Sequence, residues 1–219
     1  MLEGLTALGR TLGFSFAAGI NLYATVAIVG LASRYGWVSL PEQYRVFDSD
    51  LVIGAAIVLY IVEFFADKVP WVDSAWDAVH TVIRPIGGAL VAVGTLGEAS
   101  PAVEGLVALL GGSLAAGTHF TKASTRVAAN ASPEPFSNWI LSITEDIFVL
   151  TLGFITLKYP LVAAVIVIIG VVLMIIFAAW IIRMVKRRWT GSAGTLTPNL
   201  QLPTPKTRGA SDLGEGRGH

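Results

Sequence analysis

The residues best placed to do chemistry are ionisable groups inside apolar stretches. Asp73, Asp77, His80 and Arg84 follow one another at steps of four, three and four. At helical spacing these four share one face, while Val79, Val82, Ile83 and Ile86 lie largely elsewhere. Just upstream, Glu63 and Asp67 stand one helical turn apart, followed by a short turn containing Pro70. A tight hairpin there would bring the two acidic groups together. Further along, His119, Lys122 and Arg126 run at steps of three and four, and Glu145 and Asp146 follow Ser137 and Asn138. Adjacent residues point about 100° apart on a helix, so only one of Glu145 and Asp146 can face a given site. Glu145 is the better candidate. Carboxylates with a histidine suit protons or hard cations: oxygen ligands favour magnesium, calcium or manganese, and imidazole favours transition metals. The other reading is an ion-pair lattice, Asp77 with Arg84 and Asp67 with Lys122 or Arg126.

The elements that carry these groups are apolar. The chain has 219 residues, 54% hydrophobic and 14% charged, against about 25% charged in a soluble domain. Its mean hydropathy is +0.69. Fifteen Lys and Arg balance fifteen Asp and Glu, so no basic excess points to a nucleic acid. The chain has no cysteine, which excludes disulfides, thiolate catalysis and Cys-ligated metals. No His-Glu-x-x-His helix and no Gly-x-Ser-x-Gly elbow is present. We therefore expect no enzyme and no cofactor.

A bilayer core takes roughly 20 apolar helical residues. Six stretches qualify: 11–33, 51–66, 76–96, 101–117, 139–157 and 160–182. The first is expected to be retained, because Glu3 precedes Arg10 and Asn21 interrupts the apolar run, unlike a cleaved signal. With six spans, both termini fall on one side. Eight basic residues (Arg10, Lys68, Lys122, Arg126, Arg183, Lys186, Arg187, Arg188) then lie inside and three (Arg34, Arg45, Lys158) outside, which places both termini in the cytoplasm. Residues 190–219 are rich in Gly, Pro, Thr and Ser and are expected to form a disordered cytoplasmic tail.

The chain also shows self-similarity. Residues 12–19 (LGFSFAAG) and 110–117 (LGGSLAAG) agree at six of eight positions, at an offset of 98. Ser15 and Gly19, like Ser113 and Gly117, are four apart on one face, which suits close helix packing; a local helix break is the functional alternative. Asn21 and His119 follow at equivalent places. A duplication of three spans each would be inverted across the membrane, as in many secondary transporters. The expected halves are residues 1–100 and 101–189.

The run Ser15-x-Ala-Ala-Gly-x-Asn21, the segment Glu63-Phe-Phe-Ala-Asp-Lys-Val-Pro70 with Asp73 and Trp76-Asp77, and Arg84-Pro85 together resemble a bacterial membrane family known only as domain of unknown function 4126. The resemblance covers residues 12–172 and implies a multi-pass inner-membrane protein without a known substrate. Glu63-x-x-x-Asp67-Lys68 is more distantly similar to the Glu-x-Gly-Asp-Lys motif of small cation/proton exchangers built from two inverted three-helix halves. It departs from that motif by one extra residue between the acids and by lacking the glycine.

The resulting expectation is an all-α integral membrane protein, a six-helix bundle of two inverted three-helix repeats. Its expected function is a small inner-membrane transporter or exchanger, with a cation coupled to protons. Glu63, Asp67, Asp73, Asp77, His80, Arg84, Asn21, His119 and Glu145 are the candidate binding residues, with any metal unspecified. The expected partners are the lipid bilayer, a small cation or proton, and a second copy of the chain, with no nucleic acid. The alternative is a non-transporting scaffold or lipid-interacting protein whose buried charges are structural.

Overall fold

The computed structural model describes residues 2–130 and 135–193. Seven α-helices and one 3-10 helix make up the described residues: α1 (Leu2–Ile20), α2 (Leu22–Arg34), the 3-10 segment Glu42–Asp48, α3 (Asp50–Ala66), α4 (Pro70–Leu96), α5 (Pro101–Asn130), α6 (Pro135–Lys158) and α7 (Pro160–Ala193). The chain divides into two units, Met1–Trp180 and Ile181–His219. The second unit opens with the last turns of α7, which exposes Ile182, Met184 and Val185. Residues 190–193, expected in the tail, are helical; the rest of that expected tail lies outside the described residues.

Local chemistry sets the helix boundaries in the first unit. Asn21 sits between α1 and α2 with φ −144° and ψ 101°, and its side chain accepts from the Ala24 N–H at 2.9 Å. It therefore ends one helix and caps the next in a single residue. Ser49 caps α3 through the Val52 N–H. Pro70, Pro101 and Pro160 each open a helix, where the missing N–H costs nothing. Gly97 ends α4 at φ 95°, a conformation that L side chains disfavour.

The first two helices fold back on each other. Helix α6 lies beside both and gives the direction of each. Going along α6 from Asp146 to its end, α1 is met in reverse order: Asn21 beside Asp146, Gly13 against Thr156, Gly9 against Pro160. Helix α2 is met in forward order: Ile28 against Gly153, then Trp37 beneath the Lys158 ammonium. Phe14 of α1 and Val29 of α2 share one core cluster with Val91. The pair is thus an antiparallel hairpin whose tip is Ile20–Asn21–Leu22. Arg84, near the middle of α4, faces the Gly19 carbonyl, so the tip reaches only half the length of the bundle.

This corrects the first expected span. The apolar run 11–33 does not cross once but turns back at Asn21, because a capping asparagine reverses the chain where hydropathy alone sees a continuous stretch. Among the described residues, four helices are long and apolar enough to cross a membrane: Pro70–Leu96, Pro101–Asn130, Phe136–Lys158 and Pro160–Arg187. The 3-10 segment with α3, bent by 51°, makes a fifth if counted as one span. Four or five spans replace the six expected.

The matched octapeptides are not inverted either. Gly111 abuts Ser15, and Ala115 abuts Gly19, so α1 and α5 run in the same direction where they touch. Their roles differ as well. Ser15 is fully buried and donates to the Thr11 carbonyl at 2.8 Å, and Gly19 packs directly on the α5 backbone at Ala115. Ser113 is exposed, and a Cβ at Gly117 would meet only Met174. In α5 it is Gly111, Gly112 and Ala115 that face α4, the most extensive helix pair in the unit. No break follows Gly117: α5 runs straight through His119.

Candidate functional site: a buried charge network

The bundle is sorted inside out. Leu109 is 70% exposed and Ile175 63%, while Glu63, Asp73, Arg84 and His119 are 0% exposed. Five acids (Glu63, Asp67, Asp73, Asp77, Asp146) and three cations (Arg84, Lys122, Arg126) are buried in the interior, with Glu145 and Lys68 half-buried beside them. All of them sit on the side of the hairpin tip that faces the Asp67–Val69 turn. The other half of the core carries no charge and is mainly apolar, built from Phe14, Ala18, Val29, Val38 and Val91 with the hydroxyls of Thr11, Ser15 and Thr95.

Arg84 anchors the deepest part. Its Nη2 meets Glu63 Oε1 at 2.6 Å, and its Nη1 lies 3.5 Å from Asp77 Oδ1. Nη1 also donates to His119 Nδ1 at 2.7 Å. A guanidinium has no acceptor, so His119 must carry its proton on Nε2. That nitrogen faces Thr81 Oγ1 at 3.2 Å, which in turn donates to the Asp77 carbonyl. His80 Nδ1 donates to the Trp76 carbonyl at 2.7 Å, and Nε2 faces the Tyr23 hydroxyl at 3.0 Å. The Arg84 guanidinium thus fixes the His119 tautomer, whereas the Tyr23 hydroxyl can donate to or accept from His80.

Lys122 and Arg126, one turn apart on α5, tie the remaining acids together. Lys122 Nζ reaches Asp67 at 3.1 Å, Glu63 at 3.3 Å, Glu145 at 3.5 Å and the Ile20 carbonyl at 3.3 Å. Arg126 reaches Glu145 at 2.6 Å and Asp67 at 2.8 Å, and donates to Asn138 Oδ1 at 2.9 Å. Asn138 returns a bond to the Asp67 carbonyl. The hairpin tip is therefore electrically matched to its surroundings. The carbonyls ending α1 accept from Arg84 and Lys122, and the residue opening α2 donates to Asp146 at 3.3 Å. Cations favour helix C-termini and anions favour N-termini.

Two cavities flank the network. One, of about 160 Å³, is lined by Asp73, Ser74, Asp77, Thr81 and Arg126 between α4 and α5. The other, of about 180 Å³, has Lys122 and Glu145 beside Thr118, Thr121, Thr125 and the apolar Phe16 and Met174. Among the described residues, no group of three His, Asp or Glu is arranged to hold a metal ion. The reason is that the cations sit between the acids.

Every ionisable candidate from the sequence lies in this network, with Asn21 and Gly19 beside it; Ser15, Ser113 and Gly117 do not touch it. The face Asp73–Asp77–His80–Arg84 is buried as its spacing required. The candidate list missed Lys122, Arg126 and Asp146. Asp146 and Glu145 indeed do not share a partner: Glu145 meets Lys122 and Arg126, and Asp146 meets Asn21. The pairings Asp77–Arg84, Asp67–Lys122 and Asp67–Arg126 are all present.

Aliphatic side chains outside, paired charges inside and four or five candidate spans define a helical membrane protein. Within that class the chain belongs to the family described as domain of unknown function (DUF4126), whose model matches residues 8–182. No curated protein and no solved structure matches it significantly.

Proposed function

We propose that this protein is a small proton-coupled cation transporter or exchanger of the bacterial inner membrane, not an enzyme, and that the buried network carries the transported charge. One observation bears most of the weight. Five buried acids face three buried cations, and the half-buried Glu145 and Lys68 offset each other, which leaves an excess of two negative charges if all are ionised. Like charges in a low-dielectric interior cannot all stay ionised without a counter-charge, so the network must take up protons or cations. Buried carboxylate oxygens on Asp73 and Asp146 have no hydrogen-bond partner among the described residues and are natural sites for that uptake. The hairpin tip beside the network matches the discontinuous helices that transporters place at mid-depth.

The helix directions support one path through the membrane, with the bent pair counted as a span. Hairpin α1–α2 enters and leaves by one face, and α3 to α7 cross five times. The Leu2 end and the Trp180 end then lie on opposite faces, in place of the shared cytoplasmic face expected from six crossings. Arg183, Lys186 and Arg187 follow Trp180, which puts that end in the cytoplasm. The polar half of the core then opens toward the cytoplasm.

The test is flux in proteoliposomes. Cation gradients are imposed and internal pH is followed with a trapped dye. A cation-driven proton flux abolished by Glu63→Gln is the expected result. Absence of flux for every cation tried would overturn the reading.

A second reading has its own support. The three cations each contact at least two acids at 2.6–3.5 Å, bridging α3, α4, α5 and α6. Such a lattice could serve a scaffold or lipid-interacting protein. On that reading Glu63→Gln changes stability and no ligand response.

A further inference from the structure

We propose that the cavity between α4 and α5 is a binding site for a hydrated monovalent alkali cation, held by Asp73 and Asp77. This rests on the transport reading and gives it a substrate class and an address.

Asp73 is fully buried and lines the cavity. Its Oδ2 accepts from Asn130 Nδ2 at 2.8 Å, while Oδ1 has no hydrogen-bond partner. The nearest cation to Oδ1 is Arg126 Nη1 at 3.9 Å, beyond hydrogen-bond distance. That guanidinium is committed elsewhere, to Asp67, Glu145 and Asn138. Asp77, one turn on, shares the cavity wall, and its only ion pair among the described residues is the long one to Arg84 at 3.5 Å. The wall therefore presents two weakly compensated carboxylates with the hydroxyls of Ser74 and Thr81.

The ligand class follows from the donor set. All donors are oxygen, which favours a hard cation over a transition metal. Two carboxylates fall short of the six to eight oxygens that a dedicated calcium site supplies. Arg126 also lines the cavity and adds a positive charge that penalises a divalent ion. A volume of about 160 Å³ leaves room for an ion with several waters, since each water takes about 30 Å³ in the liquid.

The experiment is thermal unfolding of the full chain in nanodiscs, in sodium, potassium or choline chloride at matched ionic strength. Sodium or potassium is expected to raise the midpoint by about 3 °C or more over choline. The shift should vanish in Asp73→Asn and in Asp77→Asn. Ala123→Leu fills the cavity and keeps both acids, so it tests the site even if an Asp variant does not fold; it should weaken the apparent affinity at least tenfold. Equal midpoints in all three salts, or an undiminished shift in Asp73→Asn or Ala123→Leu, would overturn the site. The two proposals fail separately. Flux that depends on Glu63 without a cation-specific shift removes the site and leaves transport. A cation-specific shift without flux of any ion does the reverse.

Discussion

Lys122 Nζ lies 3.3 Å from the carbonyl oxygen of Ile20, the last residue of α1. A side chain from the last third of α5 thus closes the end of a helix 102 residues earlier in the chain. The same ammonium holds Glu63, Asp67 and Glu145, so the hairpin tip and the charge network are one construction. Moving the tip must disturb the acids, and neutralising the acids must loosen the tip.

The Arg84–Glu63 contact at 2.6 Å joins two fully buried side chains. Removing one partner strands the other charge, at a cost of about 3–5 kcal/mol. Glu63→Leu should therefore lower stability strongly, and Glu63→Leu with Arg84→Met should recover part of the loss. Denaturant unfolding in detergent, run as a double-mutant cycle, reads the coupling. Additive effects would mean that the two residues act independently.

The two glycines of the repeated octapeptide should respond differently. A Cβ at Gly19 would strike the Ala115 backbone and the Thr118 hydroxyl, whereas one at Gly117 would lie 3.7 Å from the Met174 sulfur. Gly19→Ala is expected to lower the unfolding midpoint. Gly117→Ala is expected to stay within about 0.5 kcal/mol of the parent. Equal losses would contradict the asymmetric packing.

Asn21 both caps α2 and donates to Asp146. Asn21→Ala removes the cap, worth about 1 kcal/mol, and strips Asp146 of its hydrogen-bond donor. The expected total loss exceeds that of Ser49→Ala, where the cap at α3 is long, at 3.3 Å, and serves no acid. Chemical unfolding of the two variants side by side gives the comparison.

The chain contains no cysteine, so single introduced cysteines report their side of the membrane cleanly. Leu5→Cys and Glu98→Cys should react with an impermeant maleimide from one face. Trp71→Cys should react from the other. Labelling of Leu5→Cys and Trp71→Cys from the same face would rule out the folded-back hairpin.

Much of the site was legible because helical spacing is a local property. Asp73, Asp77, His80 and Arg84 fall on one face by their steps alone, and a membrane helix can bury such a face only against partners. The reversal at Asn21 was not legible from hydropathy, because α1 and α2 are both apolar and the joint is one residue. Its signal was chemical: an asparagine inside an apolar run, capping the helix that follows. The repeat misled for a related reason. Similar residues at 12–19 and 110–117 suit close packing in any orientation, so their likeness carries no direction. Asp146 was missed because adjacency to Glu145 excluded one shared partner, while the fold offers two different ones.

The hairpin that stops at half depth also decides where a membrane voltage acts. On one side of its tip the interior is charged; on the other, Phe14, Val29 and Val91 form an uncharged, mainly apolar layer. An electric potential falls mainly across the least polarisable layer in its path. A full crossing is worth about 2.3 kcal/mol per charge per 100 mV, and most of that drop would lie across this plug. If the proposed transport holds, loading the network from the polar side would be nearly electroneutral, and passage beyond Phe14 would be the electrogenic step.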